Sequence, residues 1–481
     1  MNLKLRTDRR PFRHLGHCVL WVLGALVTAQ LAHADNDDER SRVAVPEDAI
    51  RHVLVINMEN ENFAATFGPN SPAVYLNKTL LTQGQLLTNY FATSHVSLGN
   101  YISQISGQAP TPSTNNDCLD LRTLSSPPLL GGFADVLPGT DAIDQAKYPG
   151  QVVGDGCVFP APTRHSRGAR TIGDQLDALH GPGRVHWRAY AEDMGNDLSR
   201  DYGTADPLGG ARCAHPPVGG VDHTNSASAS DQYATRHNPF VYFHSVIDDQ
   251  VRCDERVVPM GGVVAGFNGE ADQFNGHLYR DLQHIETTPK FMFVTPNLCN
   301  DAHDAKCVGV NVEGGKVGGL VGADLWLKHW MPMILNSPAY KSGRMLVVLT
   351  FDESGFSDSR ACPAGSQADC GSPTGPNVTN PGYSPILGLF HLQTPPTAEF
   401  VYAGGGQVGA VLFNKRWIEP GSVNNSGVYN HYSALRSYED LLGIHRGGDD
   451  GLGHLGYASR PGLLPFGRDV FNRRPVDRSA D

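Results

Sequence analysis

The chain has 481 residues, 40% of them hydrophobic, which is enough for a large core and, by length alone, for about two to four domains. Its formal charge is −11, and removing the five cations and one acid of residues 1–34 takes it to −15. So acidic a chain has no general attraction for nucleic-acid backbones, its composition is neither disordered nor fibrous, and an anionic substrate would have to be met by local cations.

Residues 1–34 read as an export signal: a basic start, an apolar run over 18–31, and the small-x-small pattern Ala32-His33-Ala34. The run is short for a membrane span, so no stable insertion is expected once the signal is removed. Arg9-Arg10-Pro11-Phe12 resembles a twin-arginine signal, and the export route stays open. A periplasmic or secreted location follows, and cysteine usage agrees with it. Beyond Cys18 there are eight: Cys118, Cys157, Cys213, Cys253, Cys299, Cys307, Cys362 and Cys370. An even set in an exported chain favours disulfides, and the close pairs 299/307 and 362/370 could each close a small loop. The absence of Cys-x-x-Cys argues against a zinc ribbon.

After a polar leader at 35–47, the nearly continuous apolar run His52-Val-Leu-Val-Ile-Asn-Met58 predicts a strand covered on both faces, ending at Glu59 and Asn60. A helix over 73–83 and a strand over 85–91 follow. Apolar spacing at Leu98, Tyr101, Ile102 and Ile105 then predicts a helix with Ser97 near its N-terminus. A serine there can be an N-cap, or a nucleophile beside the N–H groups that favour a phosphate.

Residues 108–170, rich in Pro, Gly, Ser and Thr, read as a disulfide-tied insertion, and 203–230 as a second irregular stretch. Between them lie an expected helix over 171–179 and a strand over 185–190 that leads to Glu192 and Asp193. His237 and His244 flank an aromatic run expected to be a strand, either as packed residues or as site histidines. The strand at 290–295 leads to Asn300, Asp301 and His303. After a helix over 320–335, the strand at 344–351 stops at Asp352 and Glu353, and a further strand is expected at 385–390 and a helix at 432–442. The expected layout is one catalytic domain over 48–470 with a tail at 471–481.

Strands alternating with helices predict an α/β sheet covered on both faces. Strands of one parallel sheet bring their C-terminal ends to one edge, so Glu59-Asn60, Asn300-Asp301-His303 and Asp352-Glu353 can converge there. Carboxylates with an amide form a hard, oxygen-rich donor set for a divalent cation, proposed as Glu59, Asn60, Asp352 and Glu353.

Several blocks carry a resemblance. Glu59-Asn60-Glu61-Asn62-Phe63-Ala64-Ala65-Thr66-Phe67-Gly68 is similar to the opening motif Glu-Asn-x-x-Phe-Asp-x-x-Phe/Tyr-Gly of the bacterial phosphoesterase family of acid phosphatases and phospholipases C, within the alkaline-phosphatase-like superfamily. Ala64 stands where that motif has Asp, which would remove a supporting acceptor if the Asp serves as one. Ser97-Leu98-Gly99-Asn100-Tyr101 with Ile105-Ser106-Gly107, the 295–304 run, Thr350-Phe351-Asp352-Glu353 and the 431–440 run also resemble family blocks. The resemblance implies a three-layer α/β/α sandwich with a mostly parallel central sheet and disulfide-tied loop insertions.

It further implies an exported, metal-dependent phosphoric ester hydrolase of the acid-phosphatase type, acting through a phosphoserine on Ser97. Asn100 would donate to the phosphate, and His303 and His237 would stabilise charge or protonate the leaving alcohol. His95 could also face the pocket. The divalent ion could be calcium, magnesium, manganese, zinc or iron. The alternative activity is a phospholipase C cleaving a phospholipid phosphodiester, for which Phe133, Val136 and Leu137 would offer apolar contacts; a serine at position 97 favours the phosphatase. Partners would be a phosphate ester or a phospholipid headgroup, with no nucleic acid, and oligomeric state is unassigned.

Overall fold

The computed structural model describes residues 43–119, 132–138, 147–164, 168–181, 183–266, 270–303, 306–355, 375–378 and 404–473. The expected signal, Asp304, Cys362, Cys370, the tail beyond 473 and the strand expected at 385–390 lie outside these residues.

Eight strands form the central sheet: β1 (His52–Met58), β2 (Gln85–Leu87), β3 (Trp187–Ala191), β4 (Val257–Pro259), β5 (Phe291–Thr295), β6 (Met345–Phe351), β7 (Ala410–Phe413) and β8 (Ser422–Asn424). Their order is β8-β2-β7-β6-β1-β5-β3-β4. Every neighbouring pair is parallel except those that β7 makes with β6 and β2. β1 sits between β5 and β6, pairing Val53 with Phe291 on one side and with Leu346 on the other. Every residue of β1, β5 and β6 is buried, as unbroken apolar runs require when both faces are covered.

Four longer helices complete the layers: α1 (Ser97–Ser106), α2 (Ile172–His180), α3 (Gly319–Leu335) and α4 (His431–Leu441). α1 packs on α4, and Tyr101 of α1 meets Phe293 of β5 edge-on at 6.2 Å. α3 packs on the short helix Val74–Lys78, whose first N–H groups are capped by Asp324 of α3 at 2.8 Å. The chain therefore forms a three-layer α/β/α sandwich around a mostly parallel sheet.

α1 ends at Gly107, which has φ +68; a Cβ there would lie 2.2 Å from the Leu455 carbonyl oxygen, so only glycine fits this close crossing. Disulfides join Cys118 to Cys157, Cys213 to Cys253 and Cys299 to Cys307. The first spans the 108–170 stretch, the second pins the 203–230 stretch to the helix before β4, and the third closes the expected small loop.

Three expected elements differ. The helix expected over 73–83 is two pieces, the short helix Val74–Lys78 and a 3₁₀ turn Leu80–Thr82. The aromatic run before His244 is a pair of 3₁₀ turns, Thr235–His237 and Pro239–Tyr242, rather than a strand. Pro239 has no N–H to give a sheet ladder and is favoured at the start of a helical turn. The 85–91 strand divides: β2 joins the main sheet, while Tyr90–Phe91 pairs with Tyr429–Asn430.

Candidate active site

The C-terminal ends of β1, β5 and β6 meet, as adjacent parallel strands must. Backbone bonds continue just beyond them: Asp352 N–H extends the β6–β1 ladder to the Met58 carbonyl at 2.9 Å, and Glu59 N–H donates to the Asp301 carbonyl, in the loop after β5, at 2.7 Å. This fixes Glu59, Asp301 and Asp352 side by side, with Glu353 next in chain. All four are buried.

Ser97 is the first residue of α1, with Val96 at the cap position, so it is not itself the N-cap. Its hydroxyl donates to Glu59 Oε2 at 2.9 Å. The next N–H, that of Leu98, donates to Asp117 Oδ1 at 2.9 Å. The serine thus stands where a helix start, a carboxylate and a buried strand end come together.

Asn100 takes a different position from the one the sequence suggests. Its Oδ1 accepts from the N–H groups of Thr93 and Ser94 at 3.0 and 2.9 Å, and its Nδ2 donates to the Ser94 carbonyl at 2.7 Å and the Val96 carbonyl at 3.4 Å. The amide expected to face phosphate is spent on the turn that presents Ser97.

His237 is buried, stacked on Tyr101 at 5.1 Å and 5°, with Nε2 3.1 Å from Glu59 Oε1 but out of hydrogen-bond alignment. Burial, then the charges of Arg236 and His303, hold its pKa well below the usual value, so it is neutral. His303 is exposed, on the loop after Asp301, whose Oδ1 accepts from its N–H at 3.1 Å. His244 lies elsewhere, bonded to Asp135 and Asp248. Asn300 also turns away, donating to Glu192 at 3.0 Å.

The carboxylates repel one another. Burial, then the charges of Glu59 and Glu353, push the Asp352 carboxyl well above its usual range. Burial, then Glu59 and Asp117, do the same for Glu353. Buried His95 contacts Glu353 through Nδ1, and burial lowers its pKa to about 3. His431 is buried too, with Nε2 donating to the Asp352 carbonyl at 2.7 Å.

Among the described residues no group of three His, Cys, Asp or Glu side chains forms a ready metal cage. The donor set nonetheless suits a hard cation. Asp352 Oδ2 is buried without a hydrogen-bond donor. The Asn60 amide packs against Glu353 Oε1 and Asp352 Oδ1, each at 3.2 Å. Its oxygen faces these two carboxylate oxygens, a convergence of acceptors that a cation among them would satisfy, as would the NH₂ if the amide were turned over. Ala64 is exposed on the short helix Phe63–Phe67.

Asp117, Arg236 and His431 are neighbours of the site that the sequence did not single out. Asp117 and Arg236 sit in loops whose contacts are non-local, so no spacing pattern marks them. His431 had a signal, its place just before a helix within a family-like block.

A buried serine at a helix start thus stands beside carboxylates at the ends of parallel strands of an α/β sheet. The profile of the Phosphoesterase family matches residues 70–445, and the chain belongs to that family. It is 28% identical over 274 residues to the phosphate-repressible acid phosphatase of Penicillium chrysogenum, covering 57% of this chain and 42% of that one. It is 23% identical over 278 residues to an acid phosphatase of Aspergillus fumigatus, covering 58% and 40%. The chain thus spans less than half the length of these relatives, which are fungal where the resemblance suggested a bacterial group. Among solved structures, it is similar to a protein in the alkaline phosphatase superfamily from Vibrio parahaemolyticus, with 10% identity, TM-score 0.40, and coverage of 88% of this chain and 72% of that one.

Proposed function

We propose that this chain is an exported, metal-dependent phosphoric ester hydrolase of the acid-phosphatase type, with Ser97 as nucleophile. The observation that carries the reading is the Ser97 hydroxyl held 2.9 Å from Glu59 at the start of α1, beside the Asp352-Glu353 strand end. The acid phosphatases among its relatives support the same substrate class.

Glu59 orients the hydroxyl hydrogen, leaving an oxygen lone pair for in-line attack on phosphorus. The Ser97 O–P bond forms as the ester P–O bond breaks, and water then releases phosphate from the phosphoserine. A divalent cation held by Glu59, Asn60, Asp352 and Glu353 would, when bound, acidify the serine hydroxyl and offset phosphate charge. Asn100 keeps the 93–96 turn in place. His237, neutral and stacked on Tyr101, flanks Glu59, and exposed His303 is assigned the protonation of the departing alcohol.

The phospholipase C alternative loses two of its apolar contacts, since Phe133 and Val136 are in the core and only Leu137 is exposed. Assays on p-nitrophenyl phosphate and phosphatidylcholine separate the two activities; release of diacylglycerol without monoesterase activity would overturn the phosphatase reading. Ser97→Ala should lower turnover by about a thousandfold or more with folding retained. An unchanged rate removes Ser97 as nucleophile. Elemental analysis with metal rescue after chelation identifies the ion, and full activity in metal-stripped protein would count against metal dependence. Among the described residues no helix is long and apolar enough to cross a membrane. An N-terminus beginning at Asp35 in protein recovered outside the cytoplasm would support cleavage of the signal.

A further inference from the structure

The Ser97 hydroxyl is bonded to Glu59, and Asp301, Asp352 and Glu353 are buried at the same strand ends. A phosphate ester brings more negative charge to the same place, and a protein cation that can engage it lowers the cost. Arg236 precedes His237 in the 3₁₀ turn Thr235–His237, and the charges of Asp117, Glu59, Asp222 and Asp301 act on its guanidinium.

That guanidinium is loosely held. Its side chain is 14% exposed, with Nε 3.5 Å from Asp117 Oδ2, and Nη1 reaches the Asn225 carbonyl only at 3.5 Å. Two other arginines show what a clamp looks like: Arg200 donates to Asp201 and Asp231 at 2.9 and 2.7 Å, and Arg252 to Asp174 and Asp177 at 2.8 and 2.9 Å. Arg236 therefore has a five-donor fork with most of its capacity unspent.

Its counter-ion is placed tellingly. Asp117 spans two donors, accepting the Leu98 N–H through Oδ1 at 2.9 Å and facing Arg236 through Oδ2. Leu98 follows the nucleophile directly. One carboxylate thus lies between the first turn of α1 and the guanidinium, next to the serine, in a position whose shape and charge suit two phosphate oxygens.

We propose that Arg236 is a phosphate-binding residue of the Ser97 site and that Asp117 is its exchangeable counter-ion, yielding the guanidinium and the Leu98 N–H to substrate. The inference rests on the phosphoesterase reading above. Lysine at 236 would keep the charge but lose the planar fork, so it should serve only in part.

The test is steady-state kinetics on p-nitrophenyl phosphate, with inorganic phosphate as inhibitor, for wild type, Arg236→Gln, Arg236→Lys and Asp117→Asn, each with a thermal melt. Arg236→Gln should raise both KM and the phosphate inhibition constant about tenfold or more, and Arg236→Lys less. Asp117→Asn should tighten phosphate inhibition by removing the competing charge. If Arg236→Gln fails to fold, Arg236→Lys carries the comparison. Folded Arg236 variants with wild-type KM and phosphate inhibition, or a loss confined to kcat, overturn the role of Arg236 alone. A wild type that hydrolyses no phosphate ester overturns the underlying reading and this inference with it.

Discussion

Asn100, expected from the resemblance to donate to phosphate, makes its hydrogen bonds to the turn before Ser97. Four hydrogen bonds from one buried amide secure the backbone from Thr93 to Val96, immediately before the nucleophile. Asn100→Ala would leave buried N–H and carbonyl groups unpaired, at about 1–3 kcal/mol for such a loss. We expect a lower urea midpoint together with slower turnover; slower turnover at unchanged stability would return Asn100 to a direct role on phosphate. Glu59, Asn60, Asp352 and Glu353 were legible because polar residues ending apolar strands are conspicuous. The partners of Asn100 were not, because a local turn that uses side-chain amides leaves no periodic trace. Asp117 and Arg236 were hidden for a further reason: they meet across 119 residues of chain, and only folding brings them together.

Among the elements, α2 carries the clearest sequence-encoded start. Thr171 accepts from Asp174 N–H at 3.1 Å, and Asp174 accepts from Thr171 N–H at 2.7 Å, closing a capping box. Asp174 is also bound by Arg252 at 2.8 Å and Ser245 at 2.8 Å, so the cap fastens the helix to its neighbours. Thr171→Ala should cost about 1 kcal/mol, and Thr171→Ser should restore most of it; equal urea midpoints for wild type and the alanine variant would refute this. Helices and buried strands were legible here through their 3.6-residue spacing and unbroken apolar runs. The run before His244 was misread because aromatic composition suits strands, while the single Pro239 decides for helical turns.

For the whole molecule, pH acts through the region that follows α4. His454 Nδ1 lies 2.5 Å from Asp450 and Nε2 2.9 Å from Asp440, tying that segment to the end of α4. Burial opposes its charge, but hydrogen bonds to Asp440 and Asp450 and the charge of Glu439 outweigh it and raise its pKa to about 9. A folded pKa above the unfolded 6.5 gives stability that is complete below about pH 6.5 and lost as pH climbs through about 9. The melting temperature of wild type should therefore exceed that of His454→Gln at pH 6, and the gap should narrow by pH 9.5; a constant gap would refute the linkage. The three-layer architecture was legible from strand and helix order, whereas this clamp, in a loop-rich segment, was not. A last consequence comes from the ladder that runs on past β1 and β6. The amide of Asp352 extends the β6–β1 ladder and that of Glu59 is bonded just beyond it, both in buried residues, so both should exchange slowly with deuterium. The Asp352 end of the candidate site would then hold until the sheet itself comes apart, while competence would be lost earlier, with the segments that carry Asp117, Arg236 and His303.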